Sequence, residues 1–210
     1  METSVKSDGF LSLSALGVET DAAEVLGYFS GSTLLQKKSL LDEVEKLSFS
    51  DGKLDFSHSE MNSYFASVAA DFIRRKLMEK GISFTFESVM SHPGKVTLLA
   101  EAQAKGYRTY LYYIATNDPE INISRVRSRV ARGGHSVPPD KIVSRYHRSL
   151  DLLIDAIKVT NRAYIFDNST TDSERTWLAE VTDGRDLELK SDKIPAWFQK
   201  AVINKISGTS

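Results

Sequence analysis

Ile-Ser-Arg-Val-Arg-Ser-Arg-Val-Ala-Arg-Gly-Gly-His-Ser-Val-Pro-Pro-Asp-Lys-Ile-Val-Ser-Arg-Tyr, residues Ile123–Tyr146, is the stretch on which the fold turns. On a helix at about 100° per residue, Arg125, Arg129 and Arg132 fall within roughly 60° of one another, while Val126 and Val130 point elsewhere. One face can therefore anchor in a core and leave a row of guanidinium groups free. Gly133-Gly134 ends that helix and makes a hinge that costs little backbone strain. A second helix starts near Pro138-Pro139, because proline is tolerated in a first turn. Helix, arginine row, glycine hinge and helix are the parts of a mobile lid that closes over a polyphosphate. A solvated helix face is the competing reading of the same arginines.

Working outward, Ile82–Glu87 is apolar-rich and reads as a short strand, followed by a helix over Gly94–Ala104 that Gly106 stops. Tyr107–Ala115 and Ala163–Asp167 are rich in strand formers. Between them lie the lid helix, Pro119–Arg132, and a long helix, Pro139–Thr160. In the long helix Ile142, Tyr146, Leu150, Leu153, Ile154 and Ile157 form a stripe to be buried. Strands alternating with helices predict a parallel sheet covered on both faces. Met1–Lys80 reads as mostly helical and irregular, with a helix start at Thr20-Asp21 and helical segments over Ser39–Leu47 and Ser59–Lys80. Beyond the core, Trp177–Val181 and Leu187–Leu189 flank Asp183-Gly184, a hairpin signal, and Ile194–Ile206 reads as an amphipathic helix. The expected organisation is a helical part over 1–80, an α/β core over 81–170 with its lid at 119–138, and a hairpin and helix over 171–210, together one domain.

Phe84-Thr85-Phe86-Glu87-Ser88, the Arg-Val…Gly-Gly-His-x-Val-Pro lid, Arg145-Tyr146 and Tyr164-Ile165-Phe166-Asp167-Asn168-Ser169 occur in that order. In these blocks the chain resembles the zeta-toxin-like family of P-loop kinases, from about Phe10 to about Ser169. The resemblance implies an α/β, P-loop-kinase-like parallel sheet flanked by helices, and ATP-dependent phosphoryl transfer to a hydroxyl. In the best-known branch of the family the acceptor is the sugar 3′-hydroxyl of UDP-N-acetylglucosamine, and the protein is a toxin held by an antitoxin. ATP and Mg2+ are the implied cofactors, with the metal held mainly by phosphates and water.

Each site candidate has two readings. Glu87 ends the expected strand, which puts its carboxylate at the sheet edge where open parallel sheets bind ligands. The resemblance makes it the group that orients the acceptor hydroxyl; otherwise it caps the next turn. Arg125, Arg129 and Arg132 would neutralise charge on the transferred phosphoryl group. His135 could bind phosphate, pack the hinge or cap the preceding carbonyls. Arg145 reaches the nucleotide or makes a surface ion pair. Asp167 and Asn168 would lie near the adenine edge in the family, or form an Asx turn leaving the strand. His58, His92 and His147 show no metal-ligand spacing with acids.

One family element is absent from these 210 residues: no Gly-x-x-x-x-Gly-Lys-Ser/Thr loop occurs. Pro93-Gly94-Lys95-Val96 comes nearest, but it lacks the first glycine and the hydroxyl after the lysine, and reads as a helix-leading turn. The expectation is a kinase core lacking its first strand and phosphate loop, either a shortened kinase or a relative without an ATP site. A non-catalytic, protein-binding remnant is the first alternative. A nucleic-acid-binding module using the arginine-rich helix is the second, weakened by a net charge of −1 and the lack of a stacking motif.

Composition fits an ordinary globular chain with room for a sizeable core. Cysteine is absent, which excludes disulfides and thiolate metal sites and is compatible with the cytoplasm. No run of about eighteen apolar residues occurs, and the first residues do not read as a charged-then-apolar leader. The resemblance implies a nucleotide, a small hydroxyl acceptor and an antitoxin as partners, and the charge and composition point to neither specific nucleic acid nor membrane.

Overall fold

Side-chain caps open three helices of the N-terminal part. Asp21 accepts from the Glu24 N–H (2.8 Å) and starts α1 (Ala22–Ser30), and Ser32 caps α2 (Thr33–Lys37). A single turn, α3 (Leu41–Val44), falls inside the expected Ser39–Leu47 segment. Asn62 accepts from the Tyr64 and Phe65 N–H groups and starts α4 (Ser63–Glu79). The computed structural model describes residues 8–170 and 175–206, and the chain divides into two compact units, Met1–Thr85 and Phe86–Ser210.

The first unit also holds strands that the sequence reading did not anticipate. β1 (Phe10–Ser12), β2 (Ser48–Ser50) and β3 (Lys53–Asp55) form an antiparallel sheet in the order β1-β3-β2. Strands of three residues are too short for alternation to register. Their signal was the turn itself: Asp51 and Gly52, at φ +50° and +72°, join β2 to β3 as an Asp-Gly hairpin. The core beneath is aromatic, with Phe29, Phe56 and Phe65 at ring-centroid separations of 6.1–6.4 Å and all buried.

The expected strand at Ile82–Glu87 does not form; residues 82–91 are irregular. Gly81, at φ +72°, ends α4 in a Schellman motif: its N–H bonds the Met78 carbonyl and the Ile82 N–H bonds that of Leu77. Ile82 therefore closes a helix, and no strand of the described residues pairs with the segment behind it. The segment is held instead by Met90, buried in the second core, and by Arg148, whose Nε donates to the Ser91 carbonyl (3.3 Å).

In the second unit α5 (Gly94–Ala104) precedes β4 (Tyr110–Ala115), α6 (Pro119–Val130), α7 (Pro139–Lys158) and β5 (Arg162–Asp167). β6 (Thr176–Thr182) and β7 (Asp186–Leu189) follow as a hairpin, then α8 (Ala196–Phe198), a π-helical turn at Gln199–Ile203 and α9 (Asn204–Ile206). The fold is α/β, with a sheet ordered β4-β5-β6-β7 and flanked by helices. Its parallel pair is β4 and β5, in register from Tyr110↔Arg162 to Ala115↔Asp167, while β6 and β7 run antiparallel. The expectation of a sheet covered on both faces needs correction. Tyr113, Ala163 and Ile165 are buried against α7 and the C-terminal helices, whereas Tyr110, Tyr112, Ile114 and Trp177 remain exposed. Among the described residues no helix is long and apolar enough to cross a membrane.

One phenol in each unit is pushed furthest from the usual tyrosine range. Burial, reinforced by the Asp71 carboxylate that its hydroxyl bonds (2.6 Å), pushes Tyr28 up to about 12. Burial likewise pushes Tyr113 up to about 12, against the milder opposing effect of its hydrogen bond with Ser149. A folded value above the unfolded one near 10 gives stability that is complete below pH 10 and is lost as pH rises towards about 12. In a near-UV titration of the protein's eight tyrosines, two should ionise last, together with loss of structure. Ionisation of all of them near pH 10 with the fold intact would contradict this assignment.

Candidate functional site at the β4/β5 edge

Two strand exits are tied together where β4 and β5 end. Asn168 N–H donates to the Ala115 carbonyl (2.8 Å), and Asn117 N–H donates to Ser169 Oγ (2.8 Å). Ser169 Oγ and N–H in turn donate to the two oxygens of Asp167, at 2.8 and 3.1 Å. Trp197 Nε1–H reaches the same carboxylate (2.8 Å), so Asp167 is buried and fully engaged. This is the Asx-turn alternative for Asp167 and Asn168, extended by a tryptophan from the C-terminal helix.

α6 starts from the other exit. Thr116, buried, donates to the Asp118 carbonyl (3.1 Å) and accepts from Asn122 Nδ2 (3.0 Å), while its own carbonyl accepts the Tyr146 hydroxyl (2.8 Å). Asp118 caps α6 through the Glu120 N–H (2.8 Å), with Pro119 in the first turn. Burial, then the nearby carboxylates of Asp118 and Asp167, hold the Tyr146 phenol above the usual tyrosine range. Thr116, Tyr146 and Trp197 thus build the edge. The Arg-Tyr pair was legible as a motif, but nothing in the sequence linked Trp197 to Asp167.

The arginine row is not free, contrary to expectation. Arg125 Nη2 donates to the carbonyls of Asn168 (2.7 Å) and Thr170 (3.2 Å), which latches the base of α6 onto the exit of β5. Arg129 Nη2 donates to the His135 carbonyl (2.9 Å), and Arg132 Nε to that of Ser128 (3.2 Å). Carbonyls left unpaired at a strand exit and a helix end attract whichever donors lie nearest. Each guanidinium carries five N–H groups, so these contacts leave donors available. Gly134 fits this arrangement, since a Cβ there would sit 2.6 Å from Arg129 Cγ. Gly133, at φ +87°, turns the chain.

The apolar side of α6 packs differently from expectation as well. Ile123 is buried, but Val126 and Val130 line a groove of about 430 Å³ shared with Val137 and Ile142, and Val130 is 37% exposed. His135 and Arg145 are exposed, and Arg145 makes no hydrogen bond or ion pair with the other described residues. Glu87 is exposed within the irregular 82–91 segment, so the strand-end argument for its position falls. Gly94-Lys95 begins α5, where Gly94 N–H bonds His92 Nδ1 (3.1 Å): a helix-leading turn, as read. Among the described residues no group of three or more His, Asp or Glu could hold a metal ion.

The model of the zeta toxin family matches residues 49–173, more than half of the chain. An uncharacterized protein of Haemophilus influenzae (strain ATCC 51907 / DSM 11121 / KW20 / Rd) is 33% identical over 69 residues, which are 33% of this chain and 49% of that protein. The chain therefore spans about half the length of this curated relative. No solved structure matches the chain significantly.

Proposed function

The chain belongs to the zeta toxin family, a P-loop-kinase-like group, and from that premise we propose that α6 and the β4/β5 edge form the phosphoryl-transfer face of an ATP-dependent phosphotransferase. The observation that carries this reading is Arg125, which brings lid guanidinium chemistry onto the C-terminal end of a parallel strand pair. That end is where such sheets present ligands.

The charged groups suit a polyphosphate. Arg125, Arg129, Arg132 and Arg145 are exposed, and their donors match phosphate oxygens. ATP, when bound, supplies the transferable γ-phosphoryl group, and Mg2+ would be held by phosphates and water. Arg125, Arg129 and Arg132 neutralise charge on that group, while His135 and Arg145 contact the nucleotide. Asp167 acts through Ser169 and Asn168 by fixing the loop at the adenine edge. Glu87 orients the acceptor hydroxyl, a role resting on the family motif alone. The acceptor is a hydroxyl of a UDP-amino sugar, and the protein is a cytoplasmic toxin held by an antitoxin.

A phosphate cradle of backbone N–H groups and a lysine supplies most of the orientation in such sites, and no such motif occurs in these residues. The chain should therefore bind Mg-ATP only at about millimolar Kd or weaker, roughly −4 kcal/mol, in a calorimetric titration. Micromolar binding would mean that another phosphate site exists.

A further inference from the structure

Arg129 is tied at two points to the turn that follows α6. Gly134 N–H bonds the Arg129 carbonyl (3.0 Å) and Gly133 N–H that of Val130 (2.9 Å), a Schellman ending. The Arg129 side chain then crosses Gly134, and its Nη2 donates to the His135 carbonyl (2.9 Å). The two glycines are required for different reasons. Gly133 has φ +87°, an angle that residues with a Cβ rarely adopt. Gly134 lies outside that region. What bars a side chain there is Arg129, because a Cβ would lie 2.6 Å from its Cγ, 3.2 Å from its Cδ and 3.0 Å from its carbonyl oxygen. Of the three arginines of the row, Arg129 is the one that bonds across the glycine pair: Arg125 is engaged at the exit of β5 and Arg132 at the Ser128 carbonyl.

We propose that Gly133-Gly134 is a hinge, that Arg129 is its latch, and that a polyphosphate opens it by drawing the guanidinium away from His135. This rests on the phosphoryl-transfer reading of α6. The latch is a bond from an exposed side chain to one neutral carbonyl. A phosphate offers the same guanidinium two parallel N–H···O bonds and an opposite charge. Arg125, one turn earlier, already stands at the exit of β5, so a ligand held there by both guanidinium groups takes Arg129 off the turn. With the latch gone, the glycine pair keeps the backbone bonds of the helix end but loses its side-chain tie. The groove between Val126 and Val130 of α6 and Val137 and Ile142 past the turn leaves α6 room to move against α7. Latch and ligand compete for one guanidinium, so breaking the latch while keeping that group must tighten polyphosphate binding.

Gly134→Ala does this, since its methyl displaces the Arg129 side chain and leaves the charge in place. The probe is inorganic tripolyphosphate, titrated into the full chain at constant ionic strength. Gly134→Ala should bind it about three- to tenfold more tightly than the unmodified chain, the factor released when one such hydrogen bond no longer has to be broken. Arg129→Ala loses latch and phosphate contact together, so its affinity should differ little. The double variant Gly134→Ala/Arg129→Ala should lose the gain, because it has no guanidinium to release. Amide exchange reads the hinge itself. Protection at residues 133 and 134 should fall several-fold in Arg129→Ala, and in the unmodified chain when tripolyphosphate is added. Neither residue belongs to a core, so these changes leave the fold intact. Equal affinity of Gly134→Ala and the unmodified chain, or a gain that survives in the double variant, would overturn the latch and leave the phosphoryl-transfer reading standing. Binding by none of these chains would overturn both.

Discussion

Truncating Phe65 to alanine is expected to destabilise the N-terminal unit by about 3–5 kcal/mol. Phe65 is fully buried, stacks on Phe29 and meets Phe56 edge-on, so its loss opens a cavity that neither neighbour can fill by a simple rotamer change. It also follows the Asn62 cap, and its own N–H is one of the groups that cap satisfies. The rigid start of α4 therefore limits collapse around the hole. For a unit of this size the helical signal should melt at least about 10 °C lower in thermal circular dichroism. Leu16→Ala is the matched control: Leu16 is 45% exposed, and its truncation should change stability by less than about 0.5 kcal/mol. Equal melting shifts in the two variants would mean that the aromatic cluster is not the core of this unit.

Long periodic elements were legible in the sequence, and elements made by tertiary pairing were not. Gly94–Ala104 and the start at Pro139 were read to the residue, because glycine, proline and an uninterrupted apolar stripe mark them. The Asp183-Gly184 turn was read for the same kind of reason. Ile82–Glu87 has strand composition, but a strand needs a neighbour, and its first residue is drawn into the helix terminus before it. At the site, helical geometry predicted one face for Arg125, Arg129 and Arg132 but could not show that nearby carbonyls would engage them, or that Arg132 would lie past the last residue of α6. Trp197 carried no signal at all. Its contact with Asp167 spans 30 residues and depends on where the C-terminal helix docks.

The lid arginines should dominate chemistry rather than nucleotide affinity. Arg125 and Arg129 sit about one turn apart on α6 and hold the strand exit and the hinge. On the proposed function, their joint loss would remove both the contacts that anchor α6 and its charge at the developing transition state. Removing such stabilisation lowers turnover by roughly 10²-fold or more, about 2.7 kcal/mol. Glu87→Gln should also lower turnover while leaving ATP affinity nearly unchanged, if the carboxylate orients the acceptor. The direct measurement is single-turnover phosphoryl transfer from labelled ATP to UDP-N-acetylglucosamine, in a chimera with the strand and phosphate loop of a zeta toxin placed ahead of residue 8. The account predicts a labelled acceptor, with the rate falling at least about 10²-fold in Arg125→Ala/Arg129→Ala at unchanged ATP affinity. Wild-type rates in the double variant would contradict it and move the chemistry away from the lid.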